Sequence, residues 1–241
     1  MRYAILSDIH GNLEALRAVL EDIENQQVDK IVCLGDVVGY GPAPNECIQL
    51  IREKADVCLM GNHDYAAIGK EPIEFFNKYA RQAIVWTRRR LTPDALAYLK
   101  ERPFEYIEDD ITFVHSSPYR PEEWIYIISA RDALPHFNYL QTRICFVGHS
   151  HVAIGVAKDD RHFWTWVADG ETLRADARYI INVGSVGQPR DSDPRACYGV
   201  YDAESGRFTF RRLEYDIEAT QRRMAEFHLP PYLIDRLKVG R

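Results

Sequence analysis

Apolar residues recur along the chain in two rhythms, and the alternation between them predicts its elements. Residues 2–7 form an apolar, β-forming run, after which Leu13, Leu16, Val19, Leu20 and Ile23 recur at helical spacing behind Asn12, a suitable cap. The unit repeats as a strand over 30–34, a glycine-rich turn over 35–42 and a helix over 45–54. A third apolar run, 57–60, ends in Gly61-Asn62-His63-Asp64, where the glycine suits a sharp turn. Consecutive strand and helix units predict parallel strands joined by right-handed crossovers, so their carboxyl ends share one edge.

Two helices are predicted between 74 and 102, the second opened by Thr92-Pro93-Asp94, a cap followed by proline at the first helical position. The aromatic residues of the first, Phe75, Phe76, Tyr79 and Trp86, read as core rather than as a substrate platform. Strands follow over 111–114 and 144–147, separated by an aromatic loop over 119–126 that would border a cleft or cover a core edge. From 152 onward the texture is β-rich, with runs over 152–157, 162–167, 178–182, 197–201 and 208–213, and this predicts a second sheet packed on the first. Asp216 would cap a terminal helix, and Pro230-Pro231 would start a short last one. No linker or solenoid-length repeat divides the 241 residues, so a single domain over 1–241 is expected.

Composition narrows the class. With 46% hydrophobic and 27% charged residues, no charged leader before a long apolar stretch and no membrane-length run, a cytoplasmic protein is expected. A net charge of -6 argues against salt-driven nucleic-acid binding, and Arg88-Arg89-Arg90, the one basic cluster, suits a helix end. The five cysteines lack CxxC spacing and fall mostly in apolar runs, as reduced packing residues do.

The chemistry-bearing residues sit where strands end. Asp8 and His10 flank one residue, Asp36 follows the second strand, Asn62 and His63 the third, His115 the fourth, and His149 and His151 the strand after that. Asp8 or Asp64 alone could be an ordinary helix cap, and a lone histidine is usually structural. Two histidines one residue apart, beside these carboxylates and His115, make a metal site simpler than separate coincidences. Asn62 can offer a carbonyl oxygen, His63 can move a proton near neutral pH, and Asp64 can fix the tautomer of its ring.

Asp8-Ile9-His10, Gly35-Asp36 with Gly39, Gly61-Asn62-His63-Asp64, Val114-His115 and Gly148-His149-Ser150-His151 resemble, in order and spacing, the five blocks of the calcineurin-like metallophosphoesterases. The stretch from Asn182 to Arg190 is similar to the small bacterial and archaeal phosphodiesterase branch, itself similar to diadenosine tetraphosphatases and serine/threonine phosphatases. The resemblance spans residues 3 to about 215. Ser116, Ser150 and Val183 depart from residues common in relatives, but none replaces an expected ligand. It implies an α/β fold, a four-layer α/β/β/α sandwich of two mixed sheets flanked by helices.

It also implies Asp8, His10 and His151 on one metal, Asn62, His115 and His149 on the other, and Asp36 as the bridge. Two divalent ions about 3.5–4 Å apart share a water that loses its proton near neutral pH, giving a hydroxide for attack on phosphorus. Nitrogen and oxygen ligands without thiolate suit Mn2+, Fe, Zn2+, Ni2+ or Co2+ alike; Mn2+ is the ion expected. His63, oriented by Asp64, would give a proton to the leaving oxygen. Arg190 and Asn62 would contact substrate phosphate, although Arg190 could instead pair with Asp191 or Asp193 on the surface.

The expected activity is hydrolysis of a small phosphate ester or nucleotide, above all a phosphodiester. Diadenosine tetraphosphate, phosphoserine and phosphothreonine are the alternative substrates. A non-catalytic scaffold like the retromer subunit that resembles this family is the alternative of another class, and the intact ligand set and His63 speak against it.

Overall fold

A computed structural model gives the architecture and describes residues 1–167 and 170–241. In chain order the strands and helices begin β1 (Arg2–Leu6), α1 (Leu13–Asn25), β2 (Lys30–Cys33), α2 (Pro44–Lys54), β3 (Val57–Cys58) and α3 (Asn62–Ala67). They continue with α4 (Lys78–Arg90), α5 (Pro93–Lys100), β4 (Glu105–Glu108), β5 (Ile111–Val114), α6 (Ala130–His136) and β6 (Ile144–Val147). The C-terminal part holds β7 (Ile154–Lys158), β8 (Phe163–Trp166), β9 (Glu171–Thr172), β10 (Arg178–Asn182), β11 (Ala196–Asp202), β12 (Arg207–Leu213), α7 (Ile217–Glu226) and α8 (Pro231–Asp235). Asn12, Thr92 and Asp216 cap α1, α5 and α7 through their side chains, as the sequence predicts.

Two mixed six-stranded sheets result, ordered β3-β2-β1-β11-β12-β9 and β4-β5-β6-β10-β7-β8. The first three strands are parallel, as expected. The C-terminal strands do not form a sheet of their own: β11 pairs antiparallel with β1 and carries β12 and β9 into the first sheet, while β7, β8 and β10 join β5 and β6 in the second. Asp8, His10, Asp36, Asn62 and His63 therefore share one edge of the first sheet, as expected, while His115, His149 and His151 approach from the second.

Alternation along β1 shows how the layers form. Ala4 and Leu6 face α1 and α2, with Leu16, Val19, Cys47 and Ile51. Tyr3 and Ile5 face the second sheet and pack with Phe113, Phe146, Tyr179 and Tyr201. The far face of the second sheet, Val114, Cys145, Val147 and Ile180, is covered by Ala133 and Phe137 from α6 and its end. This is the expected α/β/β/α layering. All five cysteines are buried and free. Among the described residues no helix is long and apolar enough to cross a membrane.

A fourth cluster places α7 and α8 against α4, through Ala80, Ala83, Met224, Leu229 and Leu233, and includes Tyr40 from the loop after β2. The aromatic residues before and within α4 divide. Phe76, Tyr79 and Trp86 are partly buried on this cluster, whereas Phe75 is 87% exposed, contrary to the core reading.

Candidate metal centre

The structure brings Asp8, His10, Asp36, His63, His115, His149 and His151 into one buried cluster, and Asn62, next to His63 at the start of α3, is buried too. Asp8 and His10 leave β1, Asp36 leaves β2, Asn62 and His63 open α3, His115 leaves β5, and His149 and His151 leave β6. Ligand atoms of Asp8, His10 and His151 lie within 4.8 Å of one another, as do those of Asp36, His115 and His149. A third such group, His10, Asp36 and His63, overlaps both.

Backbone carbonyls orient the imidazoles. Nδ1 of His10 donates to Val38 O at 3.0 Å, that of His151 to Gln188 O at 2.6 Å, and that of His115 to Leu34 O at 3.1 Å. His149 uses Nε2 instead, donating to Trp124 O at 2.9 Å, which turns Nδ1 toward the centre. These partners fix the tautomers. The Nε2 atoms of His10 and His151 then meet at 3.0 Å, each presenting a lone pair. Asp8 Oδ1 lies 3.2 Å from His151 Nε2 and has no hydrogen-bond partner, and Asn62 Oδ1 and His115 Nε2 are likewise buried and unpartnered. Such convergence of lone pairs is costly unless a proton or cation sits among them. The donor set therefore fits divalent metal ions.

Charge states agree. Burial pushes His149 down to about 3 and lowers His10 and His151, so these rings are neutral near pH 7. Burial opposes a charge on His115 as well, yet Asp36 and Asp8 beside it carry it up to about 9. Asp8 and Asp36 resist desolvation because histidines surround them, and both are held below the usual carboxylate range. In the absence of metal, His115 is thus the imidazole that would carry the compensating proton.

Asp36 is placed by two contacts: its Oδ1 accepts from His63 N at 2.8 Å, and its Oδ2 lies 3.4 Å from His115 Nε2. Gly61 has extended backbone, φ -99°, so its role is not the sharp turn read from the sequence. A Cβ there would overlap the Asp36 carboxylate. The segment 182–190 crosses the end of β1: Ser185 Oγ donates to Asp8 O at 2.8 Å, and Gly187 N donates to the same oxygen at 2.9 Å. These contacts bind the Asp8 turn to the loop after β10 that supplies the His151 partner Gln188.

The expected pairing of Asp64 with His63 does not occur. Asp64 accepts from the backbone amides of Val38 at 3.0 Å and of Val37 and Gly61 at 3.2 Å, while His63 Nδ1 has no partner. The carboxylate is fully engaged in tying the Asp36 loop to the start of α3. His63 is held by packing, with ring centroids 4.4 Å from Tyr40, 4.8 Å from His10 and 5.2 Å from Phe76. Burial lowers its imidazole to about 4, with nearby Arg190 acting in the same direction against Asp36.

Arg190 is not a surface ion pair either. Asp191 is taken by Arg212 and Asp193 by Arg195. The Arg190 guanidinium instead reaches Tyr40 Oη at 3.3 Å and Gln188 Oε1 at 3.0 Å, beside the cluster. Tyr126 stacks on His149 at 4.0 Å, so the aromatic loop does border a cleft. Tyr40, Trp124 and Gln188 were not legible as site residues, since each acts through a ring face or a backbone oxygen that any residue type supplies.

The sequence pattern described as calcineurin-like phosphoesterase matches residues 1–153. An uncharacterised protein of Methanocaldococcus jannaschii is 41% identical over 245 residues, covering 99% of this chain and 98% of its own. Among solved structures, a metallophosphoesterase from Sphaerobacter thermophilus superposes with a TM-score of 0.89 at 46% identity, over 100% of this chain and 99% of that one. A Pyrococcus horikoshii protein shares the fold at a TM-score of 0.83 and 21% identity, over 100% and 98%. With its cluster of histidines and aspartates at the strand ends, this chain belongs to the calcineurin-like phosphoesterases, metal-dependent hydrolases of phosphate esters.

Proposed function

We propose that the cluster binds two divalent transition-metal ions, Mn2+ foremost, and that the protein hydrolyses phosphodiesters there. Asp8, His10 and His151 would hold one ion, Asn62, His115 and His149 the other, with Asp36 between them. The carrying observation is the 3.0 Å approach of two Nε2 lone pairs beside an unpartnered Asp8 oxygen, an arrangement that a cation relieves. The first half-site matches one of the three groups of converging ligand atoms, and His115 and His149 with Asp36 form another. Bound metals would supply Lewis acidity and a water acidic enough to serve as nucleophile near neutral pH.

The chain's own residues set the rest. Asp8 and Asp36 are the only carboxylates among the seven proposed ligands, so two dications keep excess positive charge that attracts a phosphate anion. Arg190 adds a guanidinium at the same edge and would hold a phosphate oxygen. His63 would donate a hydrogen bond or a proton to the leaving oxygen from its unpartnered ring; a docked phosphate supplies the negative charge that favours its protonation. A cytoplasmic location and a single domain remain part of the same proposal. The preference for diesters follows from the resemblance of 182–190 to the phosphodiesterase branch.

The test is turnover of the chelator-stripped and Mn2+-reloaded protein on bis(p-nitrophenyl) phosphate, a nitrophenyl monoester, a dinucleoside polyphosphate and a phosphopeptide. Diester turnover that disappears on stripping and returns with Mn2+ is expected. Activity indifferent to chelation would refute the metal reading, and a faster monoester or phosphopeptide would overturn the diester preference.

A further inference from the structure

The ligands proposed for the first ion, Asp8, His10 and His151, follow β1 and β6, strands that lie in different sheets. A bond from His149 N to Asp8 Oδ2 at 2.9 Å joins their turns directly, and the segment after β10 joins them a second time. Asn182, buried at the end of β10, donates from Nδ2 to Gly148 O at 2.5 Å and to Ser150 Oγ at 2.8 Å, and its Oδ1 accepts from Gly184 N at 3.0 Å. These bonds pin the turn on either side of His149. Further along, Ser185 Oγ donates to Asp8 O at 2.8 Å and accepts from Gln188 N at 2.8 Å. The Gln188 carbonyl is the partner of His151 Nδ1.

A hydroxyl carries one proton and two lone pairs, and here both kinds of bond are used between ligand-bearing segments. One side chain thus sets the backbone of the Asp8 turn against the carbonyl that orients His151. Ser185 and Gln188 are 0% and 1% exposed, so a Gln188 amide that lost the hydroxyl would have no solvent to turn to. Asp8 O would keep only its bond from Gly187 N. The ring carbonyls of the second half-site lie elsewhere: Leu34 O, just after β2, orients His115, and Trp124 O, in the loop after β5, orients His149. His149 is further braced by the Asn182 bonds to its two neighbours.

We propose that Ser185 is a positioning residue for one of the two ions. Its hydroxyl, which touches backbone groups and no ligand atom, holds Asp8 and His151 at the spacing of the first half-site and leaves the second to Leu34 and Trp124. The inference rests on the reading that the cluster holds two divalent ions.

The test is Mn2+ titration of the metal-free wild type and of Ser185→Ala, followed by calorimetry and by electron paramagnetic resonance. Two Mn2+ ions sharing a bridge couple magnetically, whereas one bound ion gives the resolved multiplet of an isolated centre. The wild type should reach the coupled spectrum as the second ion binds. Ser185→Ala should take up one ion with unchanged affinity and show the isolated spectrum, the coupled one returning only at about 10–100-fold higher Mn2+, the usual loss when an outer partner of a metal ligand is removed. Ser185→Cys, whose thiol is a weak donor and acceptor of similar shape, repeats the measurement if Ser185→Ala fails to fold. A coupled spectrum at the wild-type Mn2+ concentration, or loss of both ions together as a generally loosened site would give, overturns the role of Ser185 and leaves the two-ion reading standing. A wild type that never shows the coupled spectrum removes the two-ion reading, and this inference with it.

Discussion

Replacing Asp64 by asparagine distinguishes a structural tie from an orienting partner of His63. The wild-type carboxylate is buried and accepts three backbone amides, Val37, Val38 and Gly61. An amide side chain has one oxygen. Turned to keep Val37 and Gly61, it leaves Val38 N–H facing an NH2 group. An unsatisfied buried donor costs about 1–3 kcal/mol, and the two bonds that remain lose their charge assistance. Part of this is offset, because burial and the neighbouring Asp36 already push Asp64 up to about 7. A net loss of about 2 kcal/mol is expected, which for a chain of this size is roughly 4–8 °C in Tm. The same loop carries Asp36 and the Val38 carbonyl that orients His10, so Mn2+ affinity should fall by about 10–100-fold. Differential scanning calorimetry of the metal-free protein and Mn2+ titration measure the two effects. Unchanged Tm and unchanged metal affinity, with turnover reduced as in a His63 variant, would refute the tie and reinstate Asp64 as the group that orients His63.

His63→Ala should retain both metals and lose about 10²–10⁴-fold turnover on alkyl esters, but clearly less on nitrophenyl esters, whose leaving group departs without a proton. Equal losses on the two would mean that His63 only positions phosphate. Asp36→Asn should shed at least one metal and nearly all activity, since a neutral amide does not offset two close cations; elemental analysis showing two retained ions with a near-normal rate would refute the bridge. Away from the site, Asp22 accepts from Tyr198 Oη at 2.6 Å and Arg211 Nη2 at 2.7 Å, and despite burial these partners hold its carboxyl below the usual aspartate range. A folded pKa below the unfolded value of about 3.9 contributes stability that is present above pH 4 and lost as pH falls through the folded pKa. Asp22→Asn should therefore lower Tm at pH 7, by roughly 1–2 kcal/mol in stability, with the gap to wild type closing in acid; a gap constant down to pH 2 would show that the ion pair is not its source.

The strand and helix units were legible because each is local: a buried run, a turn bearing the ligands, then a 3.6-residue period. The residues of the buried cluster were legible for the same reason, since every member lies within a few residues of a strand end. Partner choice between strands is different. Nothing in the sequence of β11 says that it pairs antiparallel with β1, which closes the first sheet and brings the 182–190 segment over Asp8. β4 escaped because it is an edge strand with alternate positions exposed, including Ile107, and α6 because it is one short helix containing Pro135. The role of Asp64 was misread because neighbours in sequence were taken for neighbours in space. At the start of α3 the Asp64 carboxylate points back to the backbone while the His63 ring turns toward Tyr40.

The backbone of the cluster carries a further argument that its geometry is meant to persist. Asp8, His10, Asp36, His149 and His151 all have left-handed backbone, with φ between 52° and 64°. Aspartate and histidine tolerate this region better than most residues, but it still costs of order 1–2 kcal/mol each relative to ordinary conformations. Five such residues at three connections are not required to end a strand, because β5 delivers His115 without one. Left-handed residues on either side of Ile9 and of Ser150 instead let side chains two apart aim at one point, where an extended chain would send them along the strand direction. The strain is held by long-range bonds: His10 N donates to Asp36 O at 2.9 Å, Asp8 N to Gly35 O at 3.1 Å, and His149 N to Asp8 Oδ2 at 2.9 Å. Each of these joins one ligand-bearing turn to another, so relaxing any single turn breaks a bond to its neighbour. The convergence of these side chains is thus held by bonds between the turns themselves, which is the condition for a rigid centre.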